Sequence, residues 1–107
     1  MEIINCTPHP ITVVDADNNV ILALPKGEVV PRLSQSTKKV AMIKGIPITE
    51  TTFGETQDLP APNKGVFLVV SRLVLSANLD RTDLLVPNDL ARDSNGNIVG
   101  CKSFARN

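Results

Sequence analysis

The chain has no tryptophan, no tyrosine and only three phenylalanines among 107 residues. Its interior must therefore be filled by Val, Ile and Leu, whose branched side chains suit a pleated sheet better than a helix. The same scarcity excludes a base-stacking platform for RNA or single-stranded DNA, which needs exposed aromatic faces. Net charge is absent as well: eleven basic and eleven acidic side chains cancel. With no global field to gather a nucleic-acid polymer, no such partner is expected, and any anion site has to be local. No apolar run approaches the ~20 residues that span a bilayer, so no membrane partner is expected. The opening MEIINCTPHP carries Glu2 and no apolar stretch of the secretory kind, which predicts a soluble, cytoplasmic protein. Cysteine is limited to Cys6 and Cys101, too few for a disulfide framework and expected as free thiols in a reducing compartment. G-x-G-x-x-G, Walker, H-E-x-x-H and G-x-S-x-G patterns are all missing. A conventional enzyme is disfavoured, and no cofactor is expected.

What is present fits one domain, 1–107, large enough for a single core. Val66 to Val70 form an uninterrupted apolar run, as in a strand buried on both faces near the middle of a sheet. After it, Val70, Leu73, Val74 and Ala77 recur at helical spacing with Ser71 placed to cap, which predicts a short helix near 71–79. Ile3 and Ile4 open a strand that Pro8 and Pro10 must end. Ile11–Val14 and Val20–Leu24 flank Asp15-Ala16-Asp17-Asn18-Asn19 and read as a hairpin. Leu84–Val86 reads as a strand closed by Pro87. Leu90–Arg92 and Asn97–Cys101 flank Asn95-Gly96, a strong hairpin signal. The expected fold is mainly β, with α+β as the variant: one mixed or mostly antiparallel sheet, rolled toward a barrel, with one short helix.

The middle of the chain is harder to read. Glu28–Val30 suggests an edge strand, Ser34–Thr37 a polar loop and Val40–Ile43 another strand. Thr49–Lys64 reads as a long loop, with or without a short strand over Thr51–Phe53. Lys26, Arg32, Lys38, Lys39 and Lys44 stand against the single acid Glu28 between positions 26 and 44. This basic segment is either a rim that attracts phosphate or, as charge runs usually are, a solvated hairpin edge guarded by lysines.

Two constellations could carry chemistry. In Asn5-Cys6-Thr7-Pro8-His9-Pro10 two prolines stiffen the backbone around the only histidine. Asn5, Thr7 and His9 are candidate ligand contacts; a plainer reading has His9 bonded within a turn and Cys6 packed as a small apolar group. Cys6, His9 and Cys101 fall short of the four ligands of a structural zinc site, so no metal is expected. The second constellation is Arg72, Arg81, Asp83 and Arg92. Arg81 and Asp83 share a face of an extended strand and form either an ion pair or an arginine oriented toward an anion.

On Asn5-Cys6-Thr7-Pro8-His9, Leu68-Val69-Val70-Ser71, Arg81-Thr82-Asp83 with Pro87, and Arg92-Asp93 through Gly100, the chain resembles small bacterial and phage proteins that open with an Asn-Leu-Thr-Pro-His-like signature. Cys6 replaces the usual Leu. The resemblance implies a phage-type origin and carries no activity with it. Three functions follow as expectations. The first is a non-enzymatic protein capturing a small anionic, nucleotide-like ligand in counter-defence, through His9, Thr7, Asn5, Arg81, Asp83 and Arg92. The second is a structural or protein-interaction module of phage assembly or host takeover, self-associating as a homo-oligomer through exposed strand edges. The third is a small hydrolase using His9 or Cys6.

Overall fold

In the computed structural model, which describes residues 1–107, eight strands and one short helix follow in the order β1 (Glu2–Asn5), β2 (Ile11–Val14), β3 (Val20–Leu24), β4 (Arg32–Ile43), β5 (Ile46–Gln57), β6 (Val66–Val69), α1 (Arg72–Ala77), β7 (Leu84–Arg92) and β8 (Ile98–Ala105). Six strands make one curled, nearly closed sheet in the order β1-β6-β7-β8-β2-β3, and β4 and β5 pair separately as a two-stranded ribbon. The body is mixed: β1–β6, β6–β7 and β2–β8 run parallel, while β2–β3 and β7–β8 run antiparallel. A mainly β, barrel-like fold with one helix is what the sequence predicts; the ribbon is a second sheet beside the one expected.

Both predicted hairpins form, and their turns use one device. Asp15 Oδ1 accepts from the N–H groups of Asp17 and Asn19, each at 2.9 Å. Asp93 Oδ1 accepts from Asn95 and Asn97 at 2.9 and 3.0 Å. The fourth residue of each turn, Asn18 or Gly96, takes the positive φ that closes it, 63° and 82°. Short polar side chains here replace backbone partners that a tight turn cannot supply.

Val66 to Val69 lies mid-sheet between β1 and β7, as its apolar run predicts. Ser71 caps α1 by accepting from Val74 N–H at 3.3 Å. The helix buries Val74 and Leu75, however, leaving Leu73 about half exposed and Ala77 exposed. A helix of six residues meets the body along one short line, so the longer spacing predicted through Leu73 and Ala77 has nothing to pack on. Cys6, Leu68, Val70, Val74, Leu75, Leu84 and Val86 form the core beneath α1. Ile11, Val13, Val69 and Cys101 form a second cluster, to which Ile3, Leu22, Leu24, Leu85 and Phe104 add.

Three other expectations are corrected. Glu28–Val30 is not a strand but part of a loop, where Gly27 packs on β1. Ser34–Thr37 is not a loop: it lies inside the 12-residue β4, which pairs with β5 with register shifts at Ser34 and Val40, and β5 absorbs the loop expected from Thr49 as far as Gln57. Pro87 does not end β7. It pairs with Phe104, and on its other side β6 has already stopped at Val69, opposite Leu85, so no neighbouring strand misses its N–H.

The ribbon projects from the body. No residue of β4 or β5 is buried. Its turn, Lys44-Gly45, has positive φ at both positions, 51° and 78°, as a two-residue hairpin requires. The base is held by α1, where Asn78 Nδ2 donates to Thr56 Oγ1 at 3.0 Å. The radius of gyration is 17.0 Å, whereas a compact domain of this length has about 13 Å.

Candidate functional site

The first candidate region grows from the end of β1. Asn5 is 6% exposed, and its amide is fully engaged. Nδ2 donates to the carbonyls of His9 (2.8 Å) and Pro25 (2.9 Å), and Oδ1 accepts from Thr7 N–H (2.9 Å) and Thr7 Oγ1 (2.7 Å). Thr7 Oγ1 also contacts the His9 carbonyl at 3.0 Å. The prolines end the strand, and Asn5 ties the resulting turn to the loop after β3. His9 contributes its carbonyl; its side chain is exposed and makes no hydrogen bond with Cys6. Gly27 completes the junction, donating to Thr7 O at 2.7 Å. A Cβ on Gly27 would stand 2.4 Å from Asn5 O and 3.0 Å from Cys6 Cα, so only glycine allows this approach.

Beside this junction a cleft of about 490 Å³ follows the free edge of β1. Its walls are β1 and Cys6, the loop Leu24–Val29, the loop segment Pro60–Asn63, and Val66 and Leu68 of β6, with Asp83 at one side. Half of its lining residues are hydrophobic. Because Glu2 and Cys6 N–H groups bond β6-side carbonyls of Gly65 and Val69, alternation turns the backbone groups of Ile3 and Asn5 the other way, toward the cleft. Asn5 O is covered by Gly27. Ile3 retains an open strand edge.

Arg81 and Asp83 form the only ion pair, with Nε and Nη2 of Arg81 donating to the two carboxylate oxygens at 2.8 Å each. Arg81 Nη2 also donates to Pro60 O at 3.0 Å, which fixes the loop walling the cleft. These bonds hold the Asp83 carboxyl below the usual carboxylate range, and the partnered carboxylate raises the Arg81 guanidinium. Arg92 lies elsewhere: its Nη1 donates to Gly96 O at 2.9 Å and braces the Asp93–Asn97 turn.

The six predicted site residues thus fall into three groups. Asn5, Thr7 and His9 belong to the proline turn, Arg81 and Asp83 to the cleft wall, and Arg92 to a distant hairpin. The cleft unites Asn5 and Asp83 only; Thr7, His9, Arg81 and Arg92 do not line it. Cys6 and Cys101 are buried free thiols in different core clusters, and desolvation raises both above the ordinary thiol range. No three His, Cys, Asp or Glu side chains lie close enough to share a metal ion.

The second candidate region is the distal ribbon, of which the sequence showed a strand over Val40–Ile43 but not its pairing with Ile46–Ile48. Ala41 pairs with Ile48 and Ile43 with Ile46 on one face, while Met42 pairs with Pro47 on the other. Val40, Met42, Ile43, Ile46 and Ile48 are 38–60% exposed. An apolar end on both faces of an isolated ribbon is unlike a solvated hairpin, which places polar groups outward. The missed signal was the pair of aliphatic triplets, Ala41-Met42-Ile43 and Ile46-Pro47-Ile48, around Lys44-Gly45. Ribbon residues 32–57 carry Arg32, Lys38, Lys39 and Lys44 against Glu50 and Glu55, so the remainder of this neutral chain is negative by two.

No protein-family model, no curated protein and no solved structure matches the chain.

Proposed function

We propose that the protein is a non-enzymatic structural module that assembles with copies of itself through its ribbon. The observation that carries this reading is the apolar end of β4–β5, held clear of the body with no buried residue. For a chain of 11.5 kDa a compact monomer exposes about 5,800 Å². This one exposes 7465 Å², an excess about twice the ~800 Å² that each partner contributes to a standard protein interface. A two-stranded ribbon alone is marginal in water, and a partner surface supplies what the body does not. Together with the resemblance to phage proteins, this supports a role in phage assembly or host takeover as the reading of the module.

Capture of a small anionic ligand has less support. The guanidinium groups of Arg81 and Arg92 are already bonded within the chain, and Lys26 is the one cation lining the cleft, beside Glu28 and Asp83. Hydrolysis has less still, since the Cys6 thiol is buried with its ionisation suppressed.

Sedimentation velocity over a wide concentration range tests the proposal. Wild type is expected to associate, and the double variant Ile43→Ser/Ile46→Ser to remain a monomer with unchanged circular dichroism and melting temperature. A wild type that stays monomeric at the highest concentration overturns it.

A further inference from the structure

We infer that the end of the ribbon of one copy seats in the cleft along β1 of the next, giving a head-to-tail contact; this rests on the self-assembly reading above. Both surfaces are incomplete alone. The ribbon end offers Ile43 and Ile46 beside a free strand edge, and the cleft offers about 490 Å³ walled by Ile3, Ile4, Val29 and Leu68. Ile3 in the open edge of β1 provides the backbone partner that an added strand takes up. Charge matches in sign: the ribbon is positive by two and the rest of the chain negative by two, and at the cleft the acids Glu28 and Asp83 outnumber Lys26. Lys44 at the ribbon turn and Glu28 at the cleft have no ion-pair partner in the monomer. A ribbon-to-ribbon contact would instead bring like charges together and leave the cleft open.

Pairwise cysteine trapping distinguishes the two arrangements. Ile46→Cys and Glu28→Cys are made separately, mixed, and oxidised mildly; the native thiols are buried and serve as the background control. The expected result is a disulfide-linked dimer that dominates in the mixture and is scarce in either variant alone. A dimer of Ile46→Cys with itself, as abundant as in the mixture, overturns the head-to-tail contact while leaving self-assembly standing. Absence of cross-links from a protein that sedimentation finds monomeric overturns both. As a second readout, Lys44→Glu is expected to weaken association roughly tenfold, and Glu28→Lys in the same chain to restore it. Weakening without restoration counts against the cleft as the receptor.

Discussion

The body and the ribbon are built from the same strand geometry and are held in opposite ways. In the body, Val69 and Leu84 are 0% exposed and every buried side-chain polar atom has a hydrogen-bond partner. In the ribbon, two strands of 12 residues are joined by backbone bonds and cross-strand pairs such as Thr37–Thr51 without burying a single residue. Hydrogen bonds fix the register of a ribbon, but they stabilise it only modestly, because the unfolded chain is hydrogen-bonded to water as well. The body is therefore the source of stability, and the ribbon is free to serve another surface.

Mutations can break that contrast in order of size. Leu84→Ala is expected to cost about 3 kcal/mol in denaturant unfolding, because a fully enclosed side chain leaves a cavity; Val40→Ala in the monomer should change stability by less than about 0.5 kcal/mol. Equal effects would erase the distinction. Asn5→Ala comes next, at about 2–3 kcal/mol, since it removes at once the donor to the Pro25 carbonyl, one of two donors to the His9 carbonyl and the acceptor of Thr7 N–H. Gly27→Ala should cost about 1–3 kcal/mol by forcing β1 and its neighbouring loop apart. A smaller effect is expected from Arg81→Met, and it depends on pH. The folded-state value of Asp83 lies below its unfolded value, so the ion pair contributes fully at neutral pH and is lost as pH falls through the folded value. Wild type and Arg81→Met should therefore converge in stability below about pH 4, as pH-dependent melting would register. A constant difference across that range would assign Arg81 a packing role alone. Hydrogen exchange sharpens the contrast at lowest cost in stability. Protection is expected in β6 and β7 at all concentrations, but in distal β4 and β5 only where copies associate.

How legible these regions were in the sequence follows from the same difference. Val66–Val70 and the Asp15 and Asp93 turns could be read because burial imposes apolar runs and tight turns demand particular side chains. Ser71 announced its helix for the same reason. Of the ribbon, Val40–Ile43 was legible as a strand, and Thr51–Phe53 as an optional one; their length and pairing were not, since strands that bury nothing carry no alternation and Ser34-Gln35-Ser36-Thr37 looks like a loop. The parallel pairings were equally hidden, because no local signal tells Ile3 that it lies beside Phe67. As for the site, the ion-pair reading of Arg81–Asp83 fits the geometry, but the two lie in the bend before β7 and not on the strand from which the pairing was argued. The cleft was not visible, since Leu24–Val29 and Pro60–Asn63 meet at β1 only through tertiary folding.

The partnership of β1 with β6, and of β2 with β8, also governs the order of events during synthesis. Glu2 and Val13 reach the ribosome exit long before Val66 and Cys101, the residues they lie beside. Hairpins β2–β3 and β4–β5 can zip locally as they emerge, yet the body waits for its last strand, because distant segments must meet before either gains. Until then the apolar strands of the body are on display along with the aliphatic end of the ribbon, so crowded translation of this message is the setting in which premature pairing between copies is expected to compete with folding.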